Sequence, residues 1–144
     1  MEWTDLTYPV ELRPDDNGTI MVRFRDFPGG TFGNDKADAL AHAREFLVDA
    51  IEIYMSRREP IPTPSKRGKE RIGVPPSVAL KVSLYQAMLD RNVSKSRLAD
   101  LMGQPKQQID RLFKLRYRSR SDQIDAAFAA LGFELQQLHF RRSA

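Results

Sequence analysis

Apolar and polar residues alternate near the start of the chain. Leu6, Tyr8, Val10 and Leu12 share one parity, and Ile20, Val22 and Phe24 share it again after the turn-rich Pro14-Asp15-Asp16-Asn17-Gly18. A period of two on either side of turn residues predicts a half-buried antiparallel β-hairpin. Asp26-Phe27-Pro28-Gly29-Gly30 breaks the pattern, after which Thr31-Phe32-Gly33 can add a third strand. From Asn34 or Asp35, either of which can cap exposed backbone N–H groups, the period becomes helical, with Leu40, Ala43, Leu47, Ala50, Ile51 and Tyr54 in one stripe. That stripe laid on one sheet face gives a β-β-β-α unit over residues 1–60, an α+β arrangement with a two-layer core.

Pro60, Pro62 and Pro64 exclude a helix, and Ser65-Lys66-Arg67-Gly68-Lys69-Glu70-Arg71 has almost nothing to bury. Residues 61–74 are therefore expected to be a linker, within which Arg71-Ile72-Gly73-Val74 can return as an edge strand. Residues 75–144 read as helical. Pro76 suits a first helical position, Val78, Leu80, Val82, Leu84, Ala87, Met88 and Leu89 supply an apolar face, and Asn92 can close the helix in a left-handed conformation. Ser94 caps a second, short helix with Leu98, Ala99, Leu101 and Met102 inward, ended by Gly103. Pro105 starts a third containing Ile109, Leu112, Phe113 and Leu115. A fourth follows Ser121, with Ile124, Ala127, Phe128 and Leu131 inside and Gly132 as its stop. Phe133 to Phe140 looks extended, a leftover strand of the kind that pairs with its own copy across a two-fold axis.

Composition narrows the function. The chain has 144 residues, no cysteine and a hydrophobic fraction of 41%, which excludes disulfide frameworks, thiolate metal sites and cysteine nucleophiles. No apolar run is long enough to span a membrane, and Met1-Glu2-Trp3-Thr4-Asp5 lacks the start of a signal peptide, so a cytoplasmic protein is expected. The net charge of +4 conceals a division: residues 1–60 carry 7 Lys/Arg against 12 Asp/Glu, a net of −5, and residues 61–144 carry 16 against 7, a net of +9. A basic half attracts a polyanion and an acidic half repels one, which implies two partners of opposite character.

The most informative spacing lies between Lys95 and Lys114. Ala99, Gly103, Ile109 and Leu112 reproduce the core of a helix-turn-helix: a small residue where the second helix passes over the first, a glycine for positive φ in the turn, and two apolar residues filling the angle. Outward positions of the second helix hold Lys106, Gln107, Gln108, Asp110, Arg111 and Lys114. Gln can pair with an adenine edge, Arg with a guanine edge, and Lys with phosphate. The expected DNA-binding residues are Lys95, Ser96, Lys106, Gln107, Gln108, Arg111, Lys114 and Arg116, with Arg97, Arg118 and Arg120 gathered nearby. Arg116-Tyr117-Arg118-Ser119-Arg120 can be a phosphate-gripping loop or a plain connection in which Tyr117 packs on the domain.

The acidic half shows no catalytic site. A two-metal nuclease needs acids converging from two strands and the helix; only Glu11 and Glu45 qualify, and Ile72-Gly73-Val74 has none. Asp15, Asp16, Asp26 and Asp35 read as turn and cap residues, and His42 and His139 as ordinary surface or edge residues. No enzyme, no cofactor and no metal are expected. From the residues alone, a binding protein with repressor activity competes with an RNA-cleaving enzyme bearing a DNA-targeting domain, and with a ligand-sensing transcriptional repressor that lacks a protein partner.

In order and spacing the residues resemble the HicB antitoxins of bacterial toxin–antitoxin pairs, in the variant with a C-terminal helix-turn-helix. The resemblance is carried by Tyr8-Pro9-Val10, Asp15-Asp16-Asn17-Gly18, Val22-Arg23-Phe24-Arg25-Asp26-Phe27-Pro28, Ala37-Asp38-Ala39-Leu40 with Ala43, Ile61-Pro62-Thr63-Pro64-Ser65, Val74-Pro75-Pro76-Ser77-Val78-Ala79, and Gly103 through Phe113. Gly29-Gly30-Thr31-Phe32-Gly33 departs slightly from the family's usual threonine-and-glycine approach to the helix. The resemblance implies an N-terminal partial ribonuclease H-like domain that covers HicA, a small basic toxin which cleaves messenger RNA with a histidine. It also implies repression of the protein's own operon through palindromic operator DNA, and a homodimer or homotetramer. It does not indicate which residues touch the toxin.

Overall fold

A computed structural model describes residues 5–142. Met1–Thr4, read above for a targeting signal, and Ser143–Ala144 lie outside the described residues. The chain divides into two compact units, Asp5–Ala79 and Leu80 onward, the division falling within the first turn of a helix.

The first unit contains β1 (Tyr8–Pro14), β2 (Ile20–Phe24), β3 (Gly30–Gly33), α1 (Lys36–Ser56) and β4 (Glu70–Ile72). The four strands form one sheet in the order β3-β2-β1-β4, and every pairing is antiparallel. Val10 stands opposite Phe24 and Leu12 opposite Val22, so the even parity of the sequence becomes the face that α1 covers. Tyr8, Val10, Val22 and Phe24 are buried against Ala39, Leu40, Ala43, Leu47 and Ile51, while Ala50 and Tyr54 are half-buried at the stripe's edge. Aromatic rings reinforce this layer: Phe24 stacks on Phe46 with centroids 5.3 Å apart, and Phe27 meets Tyr8 edge-on at 4.9 Å.

Asp35 starts α1 by accepting from the Asp38 N–H at 2.8 Å, and the Asp38 carboxylate accepts in return from the Asn34 N–H at 2.9 Å. Gly33 makes the approach possible. A Cβ there would lie 2.2 Å from the Ala39 nitrogen, so the strand can run directly under the first turn of α1 only without a side chain.

Residues 61–72, expected to be linker with almost nothing to bury between Ser65 and Arg71, are strapped to this unit. Ile61 is buried, the Tyr8 hydroxyl donates to the Pro62 carbonyl at 2.8 Å, and the Asp26 carboxylate accepts from both the Ser65 N–H and the Ser65 hydroxyl. Arg25 donates to the Arg67 carbonyl at 3.1 Å, and Arg71 donates to the Thr7 carbonyl at 2.7 Å. The expected edge strand is therefore real, as β4 on the open side of β1. Sequence patterning missed the strap because its anchors are polar groups contributed by Tyr8, Asp26 and Thr7, remote in the chain.

The second unit is helical: α2 (Pro76–Asp90), α3 (Lys95–Met102), α4 (Lys106–Leu112) and α5 (Ser121–Leu131). Asn92 follows α2 with φ +52°, Ser94 caps α3 by accepting from the Arg97 N–H at 3.0 Å, and Gly103 and Gly132 close α3 and α5 in the left-handed region. Three expectations fail here. Leu80 is exposed rather than on the apolar face: α2 turns Val82, Leu84, Tyr85 and Met88 inward, and the near-continuous apolar run hides which side that is. Leu101 is exposed too, at the wall of an open groove with Arg91, Arg97 and Leu131. Phe113 and Leu115 are buried but lie beyond the end of α4. Phe133 to Phe140, expected to be an extended segment that pairs with a second copy, forms no ladder within the chain, where it has no neighbouring strand to take its backbone hydrogen bonds.

Candidate functional site

The site is built on α3 and α4. Their three-residue turn, Gly103-Gln104-Pro105, requires the left-handed conformation at its first residue, and Gly103 takes it with φ +63° and open space around the position of a Cβ. Ile109 and Leu112 are fully buried, and Ala99 is small and buried where the two helices meet. All four residues of the expected core spacing thus occupy the junction of α3 and α4. A paired amide contact supports the turn: the side chains of Gln104 and Gln123, the latter on α5, donate to one another.

With Ile109 and Leu112 turned inward, the other side of α4 faces solvent. Lys106, Gln107 and Gln108 are exposed in its first turn, Arg111 in its last, and Lys114 and Arg116 in the segment that follows. Ser96 is exposed in the first turn of α3. Lys95 is engaged within the unit: its ammonium lies 3.6 Å from the Asp110 carboxylate and 5.6 Å from the centre of the Phe113 ring. Arg111 lies over the Tyr117 ring at 5.5 Å, which restrains the guanidinium on the surface. Seven of the eight expected positions, Ser96 among them, are therefore exposed on the start of α3, on α4 and on its following segment, while Lys95 is tied to α4.

Sequence reasoning missed Lys81. It lies on α2 with only 2% of its surface exposed, and its ammonium donates to the carbonyls of Arg111, Lys114 and Tyr117 at 3.0, 2.8 and 2.6 Å. The available signal was a single cation inside the apolar run from Val78 to Met88. A lysine there must either reach water or find acceptors.

Glu11 and Glu45 do not converge. Glu11 alternates with Val10 and Leu12, so it stands on the sheet face opposite to the one that α1 covers, and Glu45 is exposed on α1. His42 is better connected than an ordinary surface histidine. Its Nδ1 lies 2.8 Å from the Phe32 carbonyl and its Nε2 lies 3.7 Å from Asp38, and the carbonyl first, then the carboxylate, raise its pKa. No helix among the described residues is long and apolar enough to cross a membrane.

Comparison with known proteins places this geometry. Residues 7–83 match the profile of the HicB-like antitoxins of bacterial toxin–antitoxin systems. Over 133 residues, covering 90% of this chain and 96% of the relative, it is 39% identical to antitoxin HicB of Escherichia coli K12. It is 36% identical to antitoxin HicB 1 of Photorhabdus laumondii over 132 residues, covering 91% of this chain and 85% of the relative, and 38% identical to antitoxin HicB 2 of the same organism over 133 residues, covering 92% and 95%. The profile spans the sheet, α1, the strap and the start of α2, and these relatives continue through most of the second unit. The chain belongs to the HicB-like antitoxin family, non-catalytic regulatory proteins that each act with a toxin partner.

Proposed function

We propose that this antitoxin neutralises a HicA-type, mRNA-cleaving toxin through residues 1–60 and represses its own operon through a helix-turn-helix in residues 75–144, acting in the cytoplasm. The observation that carries the DNA half is the exposure of Lys106, Gln107, Gln108 and Arg111 on a helix whose opposite side is locked by Ile109 and Leu112, with Lys114 and Arg116 exposed in the segment that follows it. A helix with amide and cationic side chains on its free face and first turn is suited to the major groove, with base edges read from the helix and phosphates gripped on either side. The partial ribonuclease H-like reading of the first unit rests on its β-β-β-α-β order with β4 beside β1; β4 runs antiparallel there.

The toxin half rests on family membership and on charge. A net of −5 over residues 1–60 complements a basic RNA-binding protein and speeds encounter more than it deepens affinity. One helix-turn-helix reads one half-site. A homodimer or homotetramer would read a palindrome with half-sites about 34–36 Å apart, or a multiple of that spacing. The exposed apolar residues Leu135, Leu138 and Phe140 leave the C-terminal segment available for pairing with a second copy.

The test is co-expression with the product of the adjacent gene, followed by a mobility shift on the shared promoter. A co-purifying small basic protein whose RNase activity is silenced supports the toxin half, and a shift selective for the promoter over random duplex supports the DNA half. Purified chain that binds neither refutes both.

A further inference from the structure

The ammonium of Lys81 is removed from water, and each of its three donors is matched by one backbone carbonyl, those of Arg111, Lys114 and Tyr117. The spacing of these acceptors is regular, every third residue, because the chain leaving α4 winds around the charge. The Tyr117 N–H closes the winding by donating to the Lys114 carbonyl at 3.1 Å, and the Tyr117 ring lies 5.5 Å from the ammonium. Three carbonyl oxygens directed at one point repel each other unless a cation occupies it, so this path of the chain depends on the lysine.

The wound segment alternates between buried and exposed positions only from Phe113 to Arg116, and Tyr117 is exposed like its neighbours. Phe113 and Leu115 are buried, whereas Lys114, Arg116 and Arg118 are exposed. The segment is thus anchored from inside by Phe113, Leu115 and the Lys81 ammonium, while the cations of Lys114 and Arg116 stand at its exposed positions.

We propose that Lys81 is the positioning residue of the DNA-binding surface: by collecting the carbonyls of Arg111, Lys114 and Tyr117 it fixes residues 113–118 so that Lys114 and Arg116 meet the phosphates flanking the bases read by α4. The assignment rests on the operator-binding reading and adds to it a buried cation that never touches DNA. Methionine at this position keeps the aliphatic stem and loses the donors, so the segment opens and its two phosphate contacts are lost.

The experiment measures the full chain on its promoter duplex and on random duplex over a range of salt. With wild-type helical circular dichroism, Lys81→Met should bind both duplexes at least tenfold more weakly, and its salt dependence should flatten by about two units of slope, one for each lost phosphate contact. Because the chain has no cysteine, Lys81→Cys offers a rescue: alkylation with 2-bromoethylamine while unfolded, then refolding, rebuilds a near-isostere of lysine and should restore affinity and slope together. The uncharged carbamidomethyl adduct should not. A purely structural role would lower the melting midpoint and leave the slope of the folded fraction unchanged. A folded Lys81→Met with wild-type affinity and slope overturns the proposal.

If the methionine variant does not fold, two measurements that need no change at Lys81 decide. Lys114→Ala and Arg116→Ala, both at exposed positions, should each flatten the slope by about one unit, and the Tyr117 amide of the wild-type chain should exchange slowly. An unchanged slope in both variants, or a Tyr117 amide that exchanges as freely as an unstructured one, overturns the proposal. A wild-type chain that does not discriminate its promoter refutes the operator reading itself, before any variant is made.

Discussion

Ile109→Ala tests whether the α3–α4 junction is a packed core or an incidental contact. Ile109 is fully buried, so the change removes three carbons from a site with no access to water. At about 0.8 kcal/mol for each buried CH₂, the transfer loss is about 2.4 kcal/mol. The space left behind adds to this, since Ile→Ala changes in cores cost about 2–5 kcal/mol, while the better helix propensity of alanine returns about 0.4 kcal/mol. We expect a net loss of about 3 kcal/mol. Ile109→Val, one methyl smaller, should lose about 1 kcal/mol, and Gln108→Ala, at the neighbouring exposed position, should fall within about 0.5 kcal/mol of wild type. Urea unfolding followed through amide signals of α3, α4 and α5 reads the second unit separately from the first. A loss below about 1 kcal/mol for Ile109→Ala, or an equal loss for Gln108→Ala, would refute the assignment of inward and outward faces on which the DNA surface depends.

Gly33→Ala should cost about 2–3 kcal/mol in thermal unfolding of the first unit, because the new methyl meets the backbone of Ala39, which has no rotamer to yield. Tyr8→Phe removes the hydroxyl that donates to Pro62 and should cost about 1 kcal/mol, with faster hydrogen exchange across residues 61–72. His42 should titrate above the ordinary histidine value by NMR, and Asp38→Asn should lower its midpoint without fully normalising it, because the Phe32 carbonyl remains. The folded-state pKa is raised, so the His42 contribution to stability is present at acid pH and disappears as pH rises through that midpoint. Arg111→Ala should weaken promoter binding by about 1–3 kcal/mol if its guanidinium reads a guanine edge, with little change on random duplex; equal loss on both duplexes would reassign it to phosphate.

α1, α2 and α3 were legible in the sequence because each is stated twice, once by apolar residues and again by a terminal signal: Asp35 and Ser94 as caps of α1 and α3, Asn92 and Gly103 as left-handed stops of α2 and α3. Leu80 and Leu101 were misread because an apolar residue beside other apolar residues carries no information about direction. The exposed band on α4 followed from Ile109 and Leu112, since fixing two inward residues on a seven-residue helix fixes the rest. Lys81 escaped because charge alone argues for exposure. Only the three carbonyls gathered beyond α4 explain its burial, and no local pattern in the chain brings residues 81 and 117 together.

The strap over residues 61–72 bears on how the antitoxin is dissected. Truncation at Pro60 would strip the sheet of its outermost strand, leave β1 as a bare edge and turn the Tyr8 hydroxyl and Asp26 carboxylate out to solvent. Bare edges recruit other chains, so such a fragment is expected to self-associate and to obscure any toxin titration. A recombinant piece intended to stand alone should run to Ala79, where the compact unit ends.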